Sequence, residues 1–436
     1  MKKGTLAVLC GMMVASFALA DDWPQFRGPD RSGVSKEKGL LKAWPKEGPK
    51  LAWTYKDAGL GFSSFAASKG VVYTLGTDAK FTDEYVIAID EKNGNELWRT
   101  KIGVLYTYKG NSYGDGPRST PTVDGDFLYA LGGQADLICV DITKKGKEVW
   151  RKNIEQNFGG VIMDKYGWSE SPLVDGKHLI CTPGGPKGTL AALDKTNGKE
   201  IWRSAGLTNN APYSSIVVAD LGGIRQYIQT SYHDKPGDIH GEVSGIDAKN
   251  GKLLWSETIF TNTNDGIGAT PVVADKQVYV TAGFGGGCHL FEIGNNQAAT
   301  EKFSKQMQKK VKNTHGGVVL IDGHIYGHSE PGMWVCQDLK TGKLAWDERQ
   351  TLNCKSGAIA AAEGLLYLYT DDGEVGLVAA DPAGFKLISS FTIPVKSMIP
   401  QNRLTSRQSR IWAYPAIANG HLYLRDHEYV FAFKIK

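Results

Sequence analysis

The sequence contains little cysteine, six residues in a chain of 436. It has neither a C-x-x-C motif nor two adjacent cysteines, so no zinc or redox motif is indicated. Five cysteines follow Cys10, and an odd number without regular spacing is not a disulfide framework. Each is predicted to be a small buried strand residue, and one disulfide among them stays open as the alternative. They are Cys139, Cys181, Cys288, Cys336 and Cys354.

Long hydrophobic runs are missing after residue 20, where no stretch reaches the roughly 18 apolar residues of a membrane-spanning helix. We therefore expect no membrane span. The first twenty residues have the parts of a signal peptide: Lys2 and Lys3, an apolar run from 6 to 17, and Ala18-Leu19-Ala20. We predict that residues 1–20 are cleaved and that the protein is periplasmic or secreted.

A lipid anchor at Cys10 is the alternative to plain cleavage. Leu9 precedes this cysteine, where a lipidation signal requires a small residue, and the apolar run before it is very short. Cleavage without lipidation is therefore the prediction.

The charge of the chain is close to balanced, with a formal value of +4. Acidic and basic residues are mixed along the sequence, and no basic stripe occurs. This pattern excludes the electrostatic footprint of a nucleic-acid-binding protein. We expect a monomer whose partner is a protein, a peptide or a carbohydrate.

One phrase recurs along the chain and reads Ala-Ile-Asp-Glu-Lys-Asn-Gly-Asn-Glu-Leu-Trp in its first copy, Ala88 to Trp98. Further copies end at Trp202, Trp255 and Trp346, and a looser copy ends at Trp150. The phrase predicts a β-hairpin, because it consists of an apolar strand, an Asp, a turn with Gly and a second strand. The Asp side chain is expected to accept hydrogen bonds from the backbone of the turn. The Trp can pack onto the next unit.

A second phrase, exemplified by Thr120 to Tyr129, occurs once in each unit and gives eight units in all. The Trp markers recur at the roughly 40–50-residue spacing of a four-stranded propeller blade. The sequence therefore predicts an all-β fold, an eight-bladed β-propeller. The count would be seven if one degenerate unit is not a full blade.

The two ends of the chain predict how the ring closes. Tyr429 to Phe433 resembles the strand before a Trp hairpin, but no Trp strand follows it, whereas Leu51-Ala52-Trp53 is a Trp strand without its partner. We predict that the N- and C-terminal strands complete the last blade together, which removes an exposed sheet edge. The predicted domains are a signal peptide (1–20), an N-terminal extension (21–50) and the propeller (51–436).

The Ala-x-Asp-x-x-x-Gly-x-x-x-Trp phrase resembles the tryptophan-docking motif of the quinoprotein-type, or PQQ-like, β-propeller repeat family. The resemblance covers nearly the whole chain after residue 20. The opening Trp23-Pro24-Gln25-Phe26-Arg27-Gly28-Pro29 also resembles the start of secreted planctomycete-type members, which are described as BamB-like. Because the same scaffold serves enzymes and binding modules, the repeats specify the fold more than the function.

Resemblance to the PQQ dehydrogenases of this family would imply an alcohol or sugar oxidoreductase with the quinone and calcium in the central channel. Those enzymes typically have a longer chain and a disulfide between adjacent cysteines, which this sequence lacks. No dense cluster of carboxylates is found to hold calcium. We therefore expect no cofactor and no metal, and keep PQQ with calcium as the alternative.

Polar and aromatic residues precede the second phrase in several units, where a propeller strand enters beside the central channel. Convergent cationic and aromatic side chains there would suit a polar, partly anionic ligand. The alternative is that they line a water-filled channel. The candidates are Arg118, Trp168, Glu170, Tyr213, His315, Lys355 and Trp412.

These observations predict a non-catalytic exported binding scaffold. A PQQ-dependent oxidoreductase is the first alternative, and a BamB-like outer-membrane protein assembly factor is the second. No catalytic residue is assigned.

Overall fold

The computed structural model describes residues 22–107, 114–164, 166–261, 267–399 and 410–436. The predicted signal peptide (1–20) and Cys10 lie outside the described residues. Within the described ranges, no helix is long and apolar enough to cross a membrane.

The described chain forms eight β-sheets, seven of them with four strands and one with an added short fifth strand. Two strands precede the first complete blade: β1 (Val34–Ser35) and β2 (Lys50–Tyr55). Blades 1 and 2 contain β3 (Ala66–Ser68), β4 (Val71–Thr77), β5 (Asp83–Asp90) and β6 (Glu96–Val104), then β7 (Thr122–Asp124), β8 (Phe127–Leu131), β9 (Asp136–Asp141) and β10 (Lys147–Asn153). Blades 3 and 4 contain β11 (Leu173–Asp175), β12 (His178–Cys181), β13 (Ala191–Asp194) and β14 (Glu200–Arg203), then β15 (Val217–Leu221), β16 (Ile224–Lys235), β17 (Asp238–Asp247) and β18 (Leu253–Thr261).

The remaining four blades follow the same antiparallel order. Blades 5 and 6 contain β19 (Val272–Ala274), β20 (Gln277–Ala282), β21 (Gly287–Ile293) and β22 (Ala299–Glu301), then β23 (Val318–Ile321), β24 (His324–Ser329), β25 (Met333–Asp338) and β26 (Leu344–Glu348). Blades 7 and 8 contain β27 (Gly357–Ala362), β28 (Leu365–Thr370), β29 (Glu374–Ala379) and β30 (Leu387–Thr392), then β31 (Ala416–Ala418), β32 (His421–Asp426) and β33 (Tyr429–Lys434). Described helical segments are short: α1 (Ile154–Phe158) and two 3₁₀ turns, Ile142–Lys144 and Met307–Lys309.

The core lies between neighbouring sheets. Tyr73 and Val86 of blade 1, for example, pack against Leu128 and Val140 of blade 2. The predicted all-β, eight-bladed propeller is confirmed, since the described residues form eight blades rather than seven.

The repeated phrase forms the hairpin that its residues predict. In blade 1, Oδ1 of Asp90 accepts hydrogen bonds from the amides of Lys92 and Asn93 at 2.9 and 3.1 Å. Gly94 follows with φ +76°, a conformation that favours glycine. Trp53 of blade 8 lies over this glycine, and its indole N–H donates to the carbonyl of Glu91 at 2.7 Å. The phrase thus joins blade 1 to blade 8 at a turn without a side chain, and Trp rings lie in the same way over Gly146, Gly198 and Gly251.

Closure of the ring occurs in blade 8. Strand β2 pairs antiparallel with β33, with Lys50 opposite Lys434 and Tyr55 opposite Val430. The predicted closure by the two terminal strands is confirmed.

Residues 22–35, which we call the N-terminal plug, cross the central channel. Trp23 exchanges two backbone hydrogen bonds with Ala67 of blade 1, and the amide of Val123 in blade 2 donates to Pro24. Strand β1 then pairs parallel with β27 of blade 7. Part of the predicted N-terminal extension therefore packs against the inner strands of the propeller.

Two buried arginines anchor this plug. Arg31 donates to the carbonyls of Ser171 and Ile216 at 3.0 and 2.9 Å, and Arg27 donates to the carbonyl of Val318. Burial lowers the pKa of Arg31 to about 9, and the nearby charge of Glu170 opposes this shift.

The five described cysteines are free and buried. Four of them lie in strands and Cys354 lies just before β27. The prediction that they are small buried residues is confirmed for all five, and the prediction of a strand position is confirmed for four and wrong for Cys354. The structure has no disulfide among these five cysteines.

Candidate functional site

A series of hydroxyl side chains links neighbouring blades at the point where each inner strand begins. The amide of Ser64 donates to the hydroxyl of Thr120 at 3.2 Å, and the amide of Thr120 donates to Ser171 at 3.0 Å. The amide of Ser171 donates to Ser215 at 2.9 Å, and that of Ser215 to Thr270 at 3.3 Å. These bonds satisfy backbone amides that have no sheet partner, so the starts of the inner strands of blades 1 to 5 are held in one register.

A cavity of about 190 Å³ lies beside this series of hydroxyls. Its lining comes from several blades and from Phe26 of the N-terminal plug. Because the plug fills the channel on one side of the cavity, the cavity is a pocket at one end of the channel.

Aromatic rings form much of the wall. His315 stacks on Trp412 with ring centroids 4.4 Å apart and an angle of 8° between the planes. Phe62 packs against the same Trp412 at 5.2 Å, and Phe26 meets Tyr414 edge to face at 5.0 Å. These ring contacts hold one another in place and make this part of the cavity wall aromatic and largely apolar.

His315 contributes a neutral ring to this surface. Burial lowers the pKa of His315 to about 4, and the charges of Arg118 and His328 lower it further in the same direction. The imidazole is therefore uncharged at neutral pH.

Arg118 supplies positive charge at the cavity wall. Its guanidinium donates to the carbonyls of Gly114 at 2.7 Å and Gly116 at 3.2 Å, and its Cζ atom lies 5.2 Å from the ring centroid of Phe62. Burial lowers the pKa of Arg118, whereas the nearby Tyr213 raises it. A guanidinium group that is fixed by hydrogen bonds to carbonyls can bind a carboxylate or stack on an aromatic ring.

Four of the seven sequence candidates line the cavity, namely Arg118, Tyr213, His315 and Trp412. The hydroxyl of Tyr213 accepts a hydrogen bond from the amide of Tyr166 at 3.3 Å. Burial raises the pKa of Tyr213, so its hydroxyl stays protonated over the physiological range.

The other three candidates lie outside the lining. Trp168 is buried beside α1, where its indole N–H donates to Glu155 at 3.2 Å. Glu170 is buried and accepts hydrogen bonds from the amide and hydroxyl of Thr182 at 2.5 Å each. Lys355 is exposed before β27.

Alternation along the entering backbone explains two of these placements. Ser169 and Ser171 both line the cavity, so Trp168 and Glu170, one residue out of phase, point away from it. In other blades as well, two residues that are two positions apart in the sequence both line the cavity, and the second of them comes shortly before the inner strand. This spacing is seen for Phe62 and Ser64, Arg118 and Thr120, Tyr213 and Ser215, and Trp412 and Tyr414.

Other lining residues were not among the sequence candidates. The period-two rule would have found Phe62 and Tyr414. Phe26, in contrast, reaches the cavity from the plug, and Tyr166, Asp164 and Phe284 come from loops. Neither the plug nor these loops carries a repeat pattern that places a side chain in the channel.

The cavity can be tested against the quinone and calcium that the fold suggests. Calcium takes six to eight oxygen ligands, with carboxylates prominent among them. Asp164 is the only acidic residue among the described residues of the lining. The cluster of metal-ligand side chains found in the described ranges lies instead in the β16–β17 hairpin. The described donors thus do not match a calcium-held quinone.

Comparison with known proteins identifies relatives of several functions. A family model described as "Outer membrane protein assembly factor BamB" matches residues 82–348. An outer membrane protein assembly factor BamB from Kangiella koreensis is 27% identical over 225 residues, which cover 52% of this chain and 49% of that protein. The match therefore spans about half the length of this curated relative.

Two further similarities are to enzymes. A tetrathionate hydrolase from Acidithiobacillus ferrooxidans is 23% identical over 399 residues, covering 82% of this chain and 73% of that protein. The crystal structure of quinohemoprotein alcohol dehydrogenase from Comamonas testosteroni superposes with a TM-score of 0.66 at 12% identity, covering 95% of this chain and 80% of that one. At this identity the structural likeness shows the fold alone.

The family model covers more than half of the chain, and the eight blades with their Asp-Gly-Trp hairpins agree with it. This chain therefore belongs to the PQQ-like β-propeller family whose model is described as outer membrane protein assembly factor BamB.

Proposed function

We propose that this protein is a non-catalytic, exported binding scaffold for a protein partner, and that the channel cavity receives a segment of that partner. The observation that carries the proposal is the combination of aromatic walls and Arg118 in a pocket built from several blades. Aromatic and arginine side chains dominate the binding energy of protein interfaces.

The chemistry of the cavity narrows the class of ligand. Phe62, His315 and Trp412 offer stacked faces for an aromatic or flat side chain, and Arg118 offers a partner for a carboxylate. A short peptide with an aromatic residue and a free carboxylate combines the two. A neutral carbohydrate would use the faces but not the charge.

Peptide binding tests the proposal. Peptides selected from a displayed random library would be measured by fluorescence anisotropy against the wild type, R118Q, W412A and W346A. We expect R118Q and W412A each to weaken binding at least tenfold, since each removes an anchor of the pocket. W346A is the matched control, because Trp346 docks outside the lining, its indole N–H bonded to Asp381 at 2.8 Å.

One result would contradict the cavity as the binding site, and another would contradict a non-catalytic role. Equal affinity in all four proteins would place the binding site elsewhere. Calcium-dependent binding of PQQ with dye-linked oxidation of alcohols or sugars would move the protein to the oxidoreductases, because a bound quinone supplies redox chemistry that the side chains lack.

A role in outer-membrane protein assembly is a second candidate, favoured by the family match. In that case the partner is a component of the assembly machinery or its substrate. Deletion of the gene would then lower the amount of outer-membrane β-barrel proteins. Unchanged levels would leave the binding scaffold with another partner.

A further inference from the structure

The hairpin formed by β16 and β17 is longer than the other hairpins of its blade and carries two histidines and acidic side chains near its tip. His233 and His240 are cross-strand neighbours in the ladder. Asp238 and Glu242 lie two residues before and after His240. Because side chains alternate between the faces of a strand, these four side chains share one face.

Three of them converge on one point. Oδ1 of Asp238 lies 2.9 Å from Nδ1 of His240, and Oδ2 of the same carboxylate lies 3.3 Å from Nε2 of His233. The two imidazole rings are stacked, with centroids 4.5 Å apart and an angle of 18° between their planes. One ligand atom from each of the three side chains lies within 4.8 Å of the others.

The opposite nitrogen of each imidazole is held by an oxygen acceptor. Nδ1 of His233 lies 3.0 Å from Oδ1 of Asn209, and Nε2 of His240 lies 2.9 Å from Oε1 of Glu242. The side-chain nitrogen Nδ2 of Asn209 in turn donates to Oε2 of Glu242 at 2.8 Å. Histidines that bind a metal usually donate their second N–H to such an acceptor, which fixes the tautomer and the orientation of the ring.

When each imidazole donates its N–H to the acceptor on its far side, the lone pairs of Nε2 of His233 and Nδ1 of His240 both face the carboxylate of Asp238, whose Oδ1 lies 2.9 Å from the latter nitrogen. Three electron-rich groups around one point repel each other unless a cation or protons lie between them. Among the residues that the structure describes, Nε2 of His233 has no hydrogen-bond partner although it is buried. The imidazoles are 15% and 14% exposed, whereas the side chain of Asp238 is 65% exposed, so an ion can enter from solvent past the carboxylate.

We propose that Nε2 of His233, Nδ1 of His240 and the carboxylate of Asp238 bind one divalent transition-metal ion of the zinc class. Imidazole and carboxylate ligands suit zinc, whose ligand atoms lie about 2.1 Å from the ion. Three protein ligands leave the fourth tetrahedral position to water or to a ligand from a partner. Glu242 and Asn209 orient the two imidazoles.

The site lies on the same face of the propeller as the channel cavity. Tyr213 and Ser215 of the cavity precede β15, and β16 runs back past them until Tyr232 pairs with Asn210. A protein that covers the cavity would therefore come close to the ion. The metal site itself does not depend on the proposed function.

Calorimetric titration with zinc chloride of chelator-treated wild type, H240A, D238N and H324A tests the site. We expect one equivalent to bind the wild type and to raise its melting temperature, because an ion bound to the folded state alone stabilises it. H240A and D238N should weaken binding at least tenfold. H324A is the matched control, because Nε2 of His324 also lies near an aspartate, 3.7 Å from Oδ2 of Asp338. This variant should bind zinc as the wild type does.

The proposal is overturned if the wild type binds no stoichiometric zinc. It is equally overturned if H240A and D238N, shown to be folded by circular dichroism, bind zinc with wild-type affinity.

Discussion

At the scale of single residues, two glycines of blade 1 separate the cost of backbone conformation from that of packing. Gly94 and Gly70 have nearly the same φ, +76° and +77°. A methyl group on Gly94 would lie 2.8 Å from the indole of Trp53, whereas one on Gly70 would meet nothing within 4 Å. Gly94 is therefore needed for both the turn and the contact between blades, whereas Gly70 is needed for the turn alone.

G94A should be more destabilising than G70A. The left-handed conformation costs either alanine about 1–2 kcal/mol, and displacement of Trp53 adds about 1–3 kcal/mol for overpacking. Urea unfolding followed by fluorescence would measure both free energies of unfolding. Equal losses in the two variants would show that the indole moves aside without cost.

Residues of the channel also show how far sequence reasoning reaches at this scale. The position of each entering strand could be read from the repeats, and this found Arg118, Tyr213, His315 and Trp412. Which of two consecutive residues faces the channel could not be predicted, because this depends on how the backbone enters the inner strand.

At the scale of elements, the hairpins and the closure of the ring were predictable because their hydrogen bonds are local or repeat along the chain. The eight-bladed propeller and the pairing of β2 with β33 are confirmed. The N-terminal plug has no repeat pattern, and its partners such as Ala67 and Ala361 are distant in sequence. Its place in the channel could only come from the structure.

Trp53 and Trp150 form a matched pair at this scale. Both are buried and donate the indole N–H to the neighbouring blade, Trp53 to Glu91 at 2.7 Å and Trp150 to Lys195 at 3.0 Å. W53A and W150A should therefore each lose about 3–5 kcal/mol of stability. W53A alone also loosens β2, the strand that closes the ring.

Hydrogen exchange distinguishes the two variants. In W53A the amides of β33 that bond to β2 should lose protection before the rest of the sheet, because a strand held by fewer contacts opens locally. In W150A the same amides should keep their wild-type protection. Loss of β33 protection in both variants would mean that the ring opens as a whole whichever contact between blades is weakened.

At the scale of the whole molecule, buried titratable groups of opposite sign act on stability in the same pH range. Burial raises the pKa of Glu170 to about 7, although Thr182 and Arg31 oppose the shift. Burial lowers the pKa of His328 to about 4, against a weaker opposing hydrogen bond to Cys354. Glu84 shifts as Glu170 does, to about 7, and His315 shifts as His328 does.

The two kinds of group change stability in opposite directions. A carboxyl with a raised pKa in the folded state stabilises the fold below its unfolded pKa of about 4.3, and this contribution is lost as the pH rises towards 7. A histidine with a lowered pKa contributes stability above about pH 6.5 that is lost as the pH falls towards 4. In the wild type the two contributions therefore partly offset each other between pH 4.5 and 6.5.

Variants should separate the two contributions. Relative to the wild type, E170Q should become progressively more stable from pH 5 to pH 7.5, because the wild type must ionise a buried carboxyl over this range and the amide need not. H328Q should show the opposite trend, gaining on the wild type as the pH falls from 6.5 to 4.5. Differential scanning calorimetry at half-unit intervals measures both differences. Parallel curves for wild type and E170Q would mean that Glu170 has the same pKa in the folded protein as in the unfolded chain. In that case the hydrogen bonds from Thr182 and the charge of Arg31 would offset the effect of burial on this pKa.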